Sequence, residues 1–597
     1  MARLFPLVLA ALVATAAPVA ALAQGPVAAP AATASQNAEL AAFFEEFDRA
    51  ELALSPLSKT WRGIRDADYG KWDDFSEAGR EARYRLTQNA AAEMRQRFDP
   101  ARLTGQSRLS FELFDRQARR EAAAWEFRHH GFVFDQMNGA QSRLPAVLIN
   151  LHRVDTLADA QAYVSRLEGL GAALDQAIAN ARASEAAGIM PPRWVFPYVI
   201  ADSRNVIAGA PFGPGADSAL WADFKAKLAK LDVPQAERDR LLARAEAALR
   251  TGVAPAYRRV IAWAEAAQAR APAGDGAWRF PRGDAYYAER LSWYTTTPMT
   301  AEEVHALGLR EVARIHGEMD VIRRRVGFQG DLKAFFRYMR ERPENYLPDT
   351  PAGRAEYLRR SRAAIEAMQA RLPEMFSPAA LPRDPIIVQA VEPFREQSAG
   401  KAFYQDPAPD GSRPGVFYAN LYRMADMPVT EIEALAFHEG VSEGWGLYAE
   451  RLGKDMGFYT DPYSDFGRLQ LELHRAVRLV VDTGLHHKRW SREQAIQYVL
   501  DNTADAPGGV VKAIERYAVF PGQATAYMIG RLKITELRDR AQRELGSRFT
   551  MAGFHDAVLL SGAVPLDVME ANVLQWIEAT RAPAALRAAA PARLGGA

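Results

Sequence analysis

Along most of the chain, apolar residues recur at helical spacing with charges between them. LAAFFEEFDRAELAL (40–54), the 77–97 segment, RLSFELFDRQARREAAAWEF (108–127) and the 156–187 segment all carry them at i, i+3, i+4. Gly188–Pro197 breaks the pattern as an aromatic loop, and Gly209–Gly215 (GAPFGPG) is a second breaker. Residues 216–250 read as two helices parted near Pro234, and 271–284 as another long loop. Thr300 with Glu303 three residues on is a capping box opening a helix over 301–326. Only two runs change the period. Residues 385–391 and 415–421 are β-prone, bounded by Pro and Gly, and predict a small hairpin ahead of residue 431. Helices then resume to about Arg581. The fold class is mainly α with a minor sheet.

With 597 residues, 49% of them hydrophobic, the chain can bury a large core. A net charge of +1 argues against nucleic acid as a partner. The first residues are patterned differently: Arg3, an almost wholly apolar stretch over 4–20, then Ala21-Leu22-Ala23 before Gln24. That is a secretory signal peptide, expected to be cleaved after Ala23. An uncleaved anchor is the alternative, disfavoured by Pro18 and the Ala-x-Ala triplet. Residues 24–36 read as a disordered Ala/Pro tether, 37–580 as a single helical domain and 581–597 as an Ala-rich tail. The absence of cysteine excludes disulfides, thiol catalysis and lipid attachment through cysteine. The expected location is the periplasm or the medium, with no stable membrane anchor after cleavage.

Candidate chemistry centres on EIEALAFHEGVSEGWGLYAERL (431–452). His438-Glu439 at the end of an apolar helix is the first half of H-E-x-x-H, in which two histidines hold zinc and the glutamate polarises water. Here Ser442 stands four residues after His438. Glu443 adds an oxygen ligand of a kind zinc accepts. On one unbroken helix, however, His438 and Glu443 would point about 140° apart. A hairpin ahead of such a helix is how zinc peptidases offer an edge strand to substrate. His486-His487 follows an apolar helix and reads equally as a helix C-terminal feature. His474 reads as a surface or packing residue. Arg475 and Arg478 suit either a solvated face or a paired, anion-binding role. In RYAVFPGQATAYMIGRLK (516–533), Tyr517, Gln523 and Tyr527 could donate to an oxyanion or simply line a core.

Taken together, HEG with EGWGLYAERLGKDMGFY, DPYSDFGRL, RLVVDTGLH, WSREQAI and RYAVFPGQATAYMIG resemble the bacterial DUF885 family. So do YTTTPMTAEEVHALGLREV (294–312) and the 391–424 segment, and the resemblance runs from about residue 40 to about 578. It implies an exported, mostly helical zinc metallopeptidase with a central cleft between two lobes, acting on peptides or small amides, carboxypeptidase-like. The family pattern is H-E-x-x-P-G-H-H, a connecting segment, then E-G-W-x-L-Y-x-E. Carried over, His438 and Glu443 are zinc ligands and Glu439 is the base. His486, Tyr517 and Tyr527 are catalytic, while Tyr418, Asn420, Arg516 and Gln523 bind substrate, the first two on the edge strand. The P-G-H-H part and the connecting segment have no counterpart, as if an in-frame deletion had fused the two zinc helices. The implied reading is a zinc peptidase-like protein of doubtful activity, unless His486 or His487 replaces the lost ligand. The alternatives are a non-catalytic peptide-binding protein or an inactive paralogue.

Overall fold

The computed structural model describes residues 31–381, 386–391, 396, 401–405, 414–438 and 443–582. The signal peptide, Glu439 and residues 583–597 of the tail lie outside the described residues. The chain gathers into two compact units, one of residues up to 274 with 279–281, the other of 275–278 with residues from 282 onward.

Unit 1 is helical. It opens with α1 (Ala31–Ala53), so residues 31–36 of the expected tether are helix instead; Ala31, Ala32 and Ala34 carry the highest helix propensity of any residue. Helices α2 (Glu77–Arg97) and α3 (Gly105–Trp125) fall where the periodicity places them. The three meet through Leu40, Phe43, Met94, Phe98, Phe111 and Phe114, with edge-on ring contacts such as Phe43–Phe98 at 5.9 Å. The 30-residue α4 (Leu157–Ala186) begins in a Thr156/Asp159 capping box. It buries Arg166 completely. Among the described residues that guanidinium hydrogen-bonds no carboxylate: it donates to the Lys71 carbonyl, His152 Nδ1 and Thr60 Oγ1.

Unit 2 is built around two long helices, α5 (Ala301–Arg325) and α6 (Pro462–His486). The predicted capping box of Thr300 and Glu303 is present at the start of α5. The helices approach closely at Gly308, where a Cβ would come within 2.7 Å of Leu479 Cβ. Nearly every residue of α6 from Phe466 to His486 is buried, polar ones included. That burial forces pairing. Glu472 accepts from Arg468 at 3.0 Å, Arg531 at 2.8 Å and Arg314. Burial alone would raise this carboxyl, but the three arginines outweigh it and hold it at about 2.

The sheet differs from the expected hairpin. Strands β1 (Ile386–Ala390) and β3 (Gly415–Ala419) pair in parallel, and β2 (Ala402–Gln405) lies antiparallel on the other side of β3. A hairpin needs a short turn, whereas the 24 residues between β1 and β3 allow a crossover. Beneath the sheet, Val388 and Phe417 join Tyr357, Ile365, Leu435 and Leu452 in one core cluster. Among the described residues, no helix is long and apolar enough to cross a membrane.

Candidate functional site

The His-Glu and EGW motifs do not share one helix. Ile432–His438 (α7) ends at His438, and Glu443–Asp455 (α8) begins a separate helix. The 140° separation expected for a fused helix therefore does not apply. Instead α7 and α8 pack against each other. Gly446, Glu450 and Gly453 fall on one face of α8 at i, i+4, i+7 spacing. A Cβ on Gly446 would lie 2.8 Å from the His438 carbonyl oxygen, and one on Gly453 2.7 Å from Phe437 Cδ2. Glycine at both places lets the backbones approach.

Between those glycines sits Glu450. Its Oε1 lies 2.7 Å from His438 Nδ1, an ion-pair distance though off the line of a well-formed hydrogen bond. Glu450 is 1% exposed and His438 8%. With Nδ1 set against a carboxylate, Nε2 is the nitrogen left for a ligand, the usual second-sphere arrangement of metal-binding histidines. The next cation is Arg475 of α6, whose Nη2 is 3.9 Å from Glu450 Oε1. Sequence reasoning passed over Glu450. The signal was its place between two glycines on the face that meets α7.

Arg475 belongs to a polar face of α6 with His474 and Arg478. His474 Nδ1 is 2.6 Å from Asp505 Oδ2, and Gln470 donates to Asp505 Oδ1 at 3.0 Å. Burial would raise the Asp505 carboxyl, but His474 beside it holds it well below the ordinary range. Burial lowers the His474 imidazole despite that partner. Glu431 is fully sequestered with Lys401, and burial raises its carboxyl in spite of the ammonium. Glu431 and Gln470 also line a polar cavity of about 30 Å³, room for water rather than a peptide.

Past His474, the Arg478 guanidinium stands 4.8 Å from the centre of the Tyr527 ring and 5.7 Å from that of Tyr517. Tyr517 is 2% exposed, and its hydroxyl has no hydrogen-bond partner among the described residues. Arg516 donates to Gln523 Oε1 at 2.9 Å and lies over the Tyr517 ring. The structure thus brings Tyr517, Tyr527, Arg516 and Gln523 together with Arg478.

Three expected sites stand differently. His486 is fully buried; its Nδ1 accepts from the Ala277 amide and its Nε2 donates to the Tyr517 carbonyl, both at 3.0 Å. Those main-chain bonds fix one tautomer and leave neither nitrogen for catalysis or metal. His487 faces Glu302 at 3.5 Å on the surface. Tyr418 and Asn420 are not on an edge, because β3 is the central strand with both ladders occupied. Tyr418 is buried against Phe403, and Asn420 Nδ2 donates to the Glu396 carbonyl.

For zinc, the described residues supply one histidine with a carboxylate behind it. No three His, Asp or Glu side chains among them converge as a metal-binding group; Glu439 and the Glu443 side chain lie outside the described set. The other histidines of unit 2 are His305, His316, His474, His486, His487 and His555, each with a protein partner of its own. The described residues by themselves supply one histidine toward the three-ligand zinc centre that the motif implies.

A comparison with curated proteins finds no match. Among solved structures, the chain is similar to "the putative lipoprotein from Colwellia psychrerythraea", with 28% identity and a TM-score of 0.83 over 91% of this chain and 99% of that one. It is also similar in fold to "a putative lipoprotein of unknown function from Shewanella oneidensis", at 18% identity and a TM-score of 0.69, covering 90% and 99% of the two chains. The family model described as "Bacterial protein of unknown function (DUF885)" matches residues 56–442 and 441–573. The chain therefore belongs to the DUF885 family of bacterial proteins.

Proposed function

We propose that this is an exported protein that binds peptides or small amides at the unit 2 centre and does not hydrolyse them through a zinc-bound water. The observation that carries the reading is His438. It has the carboxylate support of a metal ligand in Glu450 but no second histidine at the motif spacing, where Ser442 stands. The family match supports this, since its two segments meet at residues 441–442, where the motif is short. On α6, one turn past Arg475, Arg478 gathers with Tyr517 and Tyr527, and Arg516 with Gln523. Such a group offers hydrogen-bond donors and aromatic faces of the kind that hold a peptide. Export is supported by the Arg3-led apolar N-terminus and by the description of the 28% identical neighbour as a "putative lipoprotein", although this sequence has no cysteine to carry a lipid.

Calorimetric titration of short peptides in the presence of a chelator, with mass spectrometry of the recovered peptides, tests this. Binding that persists with the peptides intact is the expected result. Cleavage that the chelator abolishes would overturn it.

A further inference from the structure

Asp482 of α6 is fully buried, and among the described residues it pairs with no lysine, arginine or histidine. Its Oδ1 accepts from Tyr287 Oη at 2.7 Å and from the Gly522 amide at 3.0 Å. Its Oδ2 is sealed from solvent without a donor among the described residues. The ionisable groups that face it are Tyr287 and Tyr294 of the helix Gly283–Thr295 and Arg516 of the helix Pro507–Val519. None is a counter-ion in contact. Arg516 donates to Gln523, Arg290 of the first helix turns to Glu289, His305 of α5 meets Thr483, and His486 bonds main chain. A buried carboxyl without a counter-ion favours its neutral form, and burial raises this one from 3.8 to about 7 against its two donors.

The acid holds a turn. Residues 520–525 join the helix Pro507–Val519 to the helix Ala526–Leu545, with Gly522 in the left-handed region at φ +81°. A Cβ at Gly522 would lie 3.0 Å from the Arg290 carbonyl carbon, so the turn sits hard against the helix Gly283–Thr295. Its other hydrogen bonds are local, such as Thr525 Oγ1 to the Gly522 carbonyl at 2.7 Å. Among the described residues, the Gly522 amide bond to Asp482 is the only one that ties 520–525 to α6.

We propose that Asp482 is a proton-operated latch, which holds the 520–525 turn against α6 while protonated and eases its release as the carboxyl ionises. The latch does not depend on what unit 2 binds, but it acts on the turn that carries Gln523 and follows Tyr517. Lifting the turn admits water to Oδ2, so the opened state ionises near 3.8 while the closed state keeps its proton to about 7. Stability of the closed turn is therefore complete below about pH 4, falls about tenfold per pH unit above that, and levels off past about 7.

The test is hydrogen exchange read by mass spectrometry on peptides spanning 517–527 of the full chain, at pH 5, 6, 7 and 8, with intrinsic rates divided out. Protection should fall on the order of 100-fold from pH 5 to pH 7 and little further by pH 8. Asp482→Asn keeps an Oδ1 acceptor and cannot ionise, so its protection should be flat relative to the wild type. Tyr287→Phe removes one donor to the ionised form, so the levelling-off should move above pH 7. A wild-type profile parallel to that of Asp482→Asn would overturn the latch, as would a levelling-off that Tyr287→Phe leaves in place.

Discussion

Replacing Glu472 with glutamine should loosen α6 more than any other single polar change in unit 2. The side chain is 4% exposed and sits among Arg468, Arg531 and Arg314. Two routes give the same magnitude. Removing one partner from a buried ion pair costs about 3–5 kcal/mol. Independently, a carboxyl held at about 2 in the fold rather than 4.5 contributes about 3 kcal/mol at neutral pH. Its folded value is depressed, so this stability is present above pH 4.5 and is lost as pH falls toward 2. Hydrogen exchange read by mass spectrometry on α6 and α5 peptides suits a chain of two units, because it reports opening locally. In Glu472→Gln at pH 7 the slowest α6 amides should exchange on the order of 10²- to 10³-fold faster. A change under fivefold would refute the reasoning, and would mean that the three arginines are satisfied by Glu311, Asp465 and water.

Asp482, also on α6, is predicted to behave in the opposite sense. Burial raises its carboxyl to about 7, against hydrogen bonds from Tyr287 Oη and the Gly522 amide to Oδ1. A raised acid contributes stability below its unfolded value of 3.8, and loses about 4 kcal/mol of it as pH rises through about 7. Asp482→Asn keeps an Oδ1 acceptor, so the variant should gain on the wild type between pH 5 and pH 8 in thermal melts; a parallel pH profile for the two would contradict this. At Gly308, a Cβ would meet Leu479 Cβ at 2.7 Å and Val480 Cγ2 at 2.8 Å. Gly308→Ala should therefore destabilise unit 2 by about 1–3 kcal/mol despite alanine's better helix propensity, and a rise in melting temperature would show that α5 and α6 can part freely.

Helices announced themselves in the sequence wherever a capping residue and an amphipathic period coincided, as at 77–97, at the Thr300 capping box and at the Pro234 break. The sheet was harder to read. Ala402–Gln405 is four residues, half-buried throughout, too short for an alternation to register, so the sequence hides β2 and makes β3 look like an edge. The break between α7 and α8 was hidden because no proline marks it, leaving Gly440 and Gly444 as the sequence's only hints. His438 and the Arg478–Tyr517–Tyr527 group were legible as residues with chemistry. Glu450 was not, because its meaning depends on two helices meeting at Gly446 and Gly453. His486 erred in the other direction, a histidine satisfied on both nitrogens by main chain some 200 and 30 positions away.

Under the function proposed above, the motif around His438 does not assemble a zinc centre. Elemental mass spectrometry of the purified, untagged protein tests it most directly, with His438→Ala as the control. Zinc well below one equivalent, with no difference between the two proteins, is the expected result. Near-stoichiometric zinc that disappears in His438→Ala would contradict it, and would place a rebuilt ligand set around the His438–Glu450 pair.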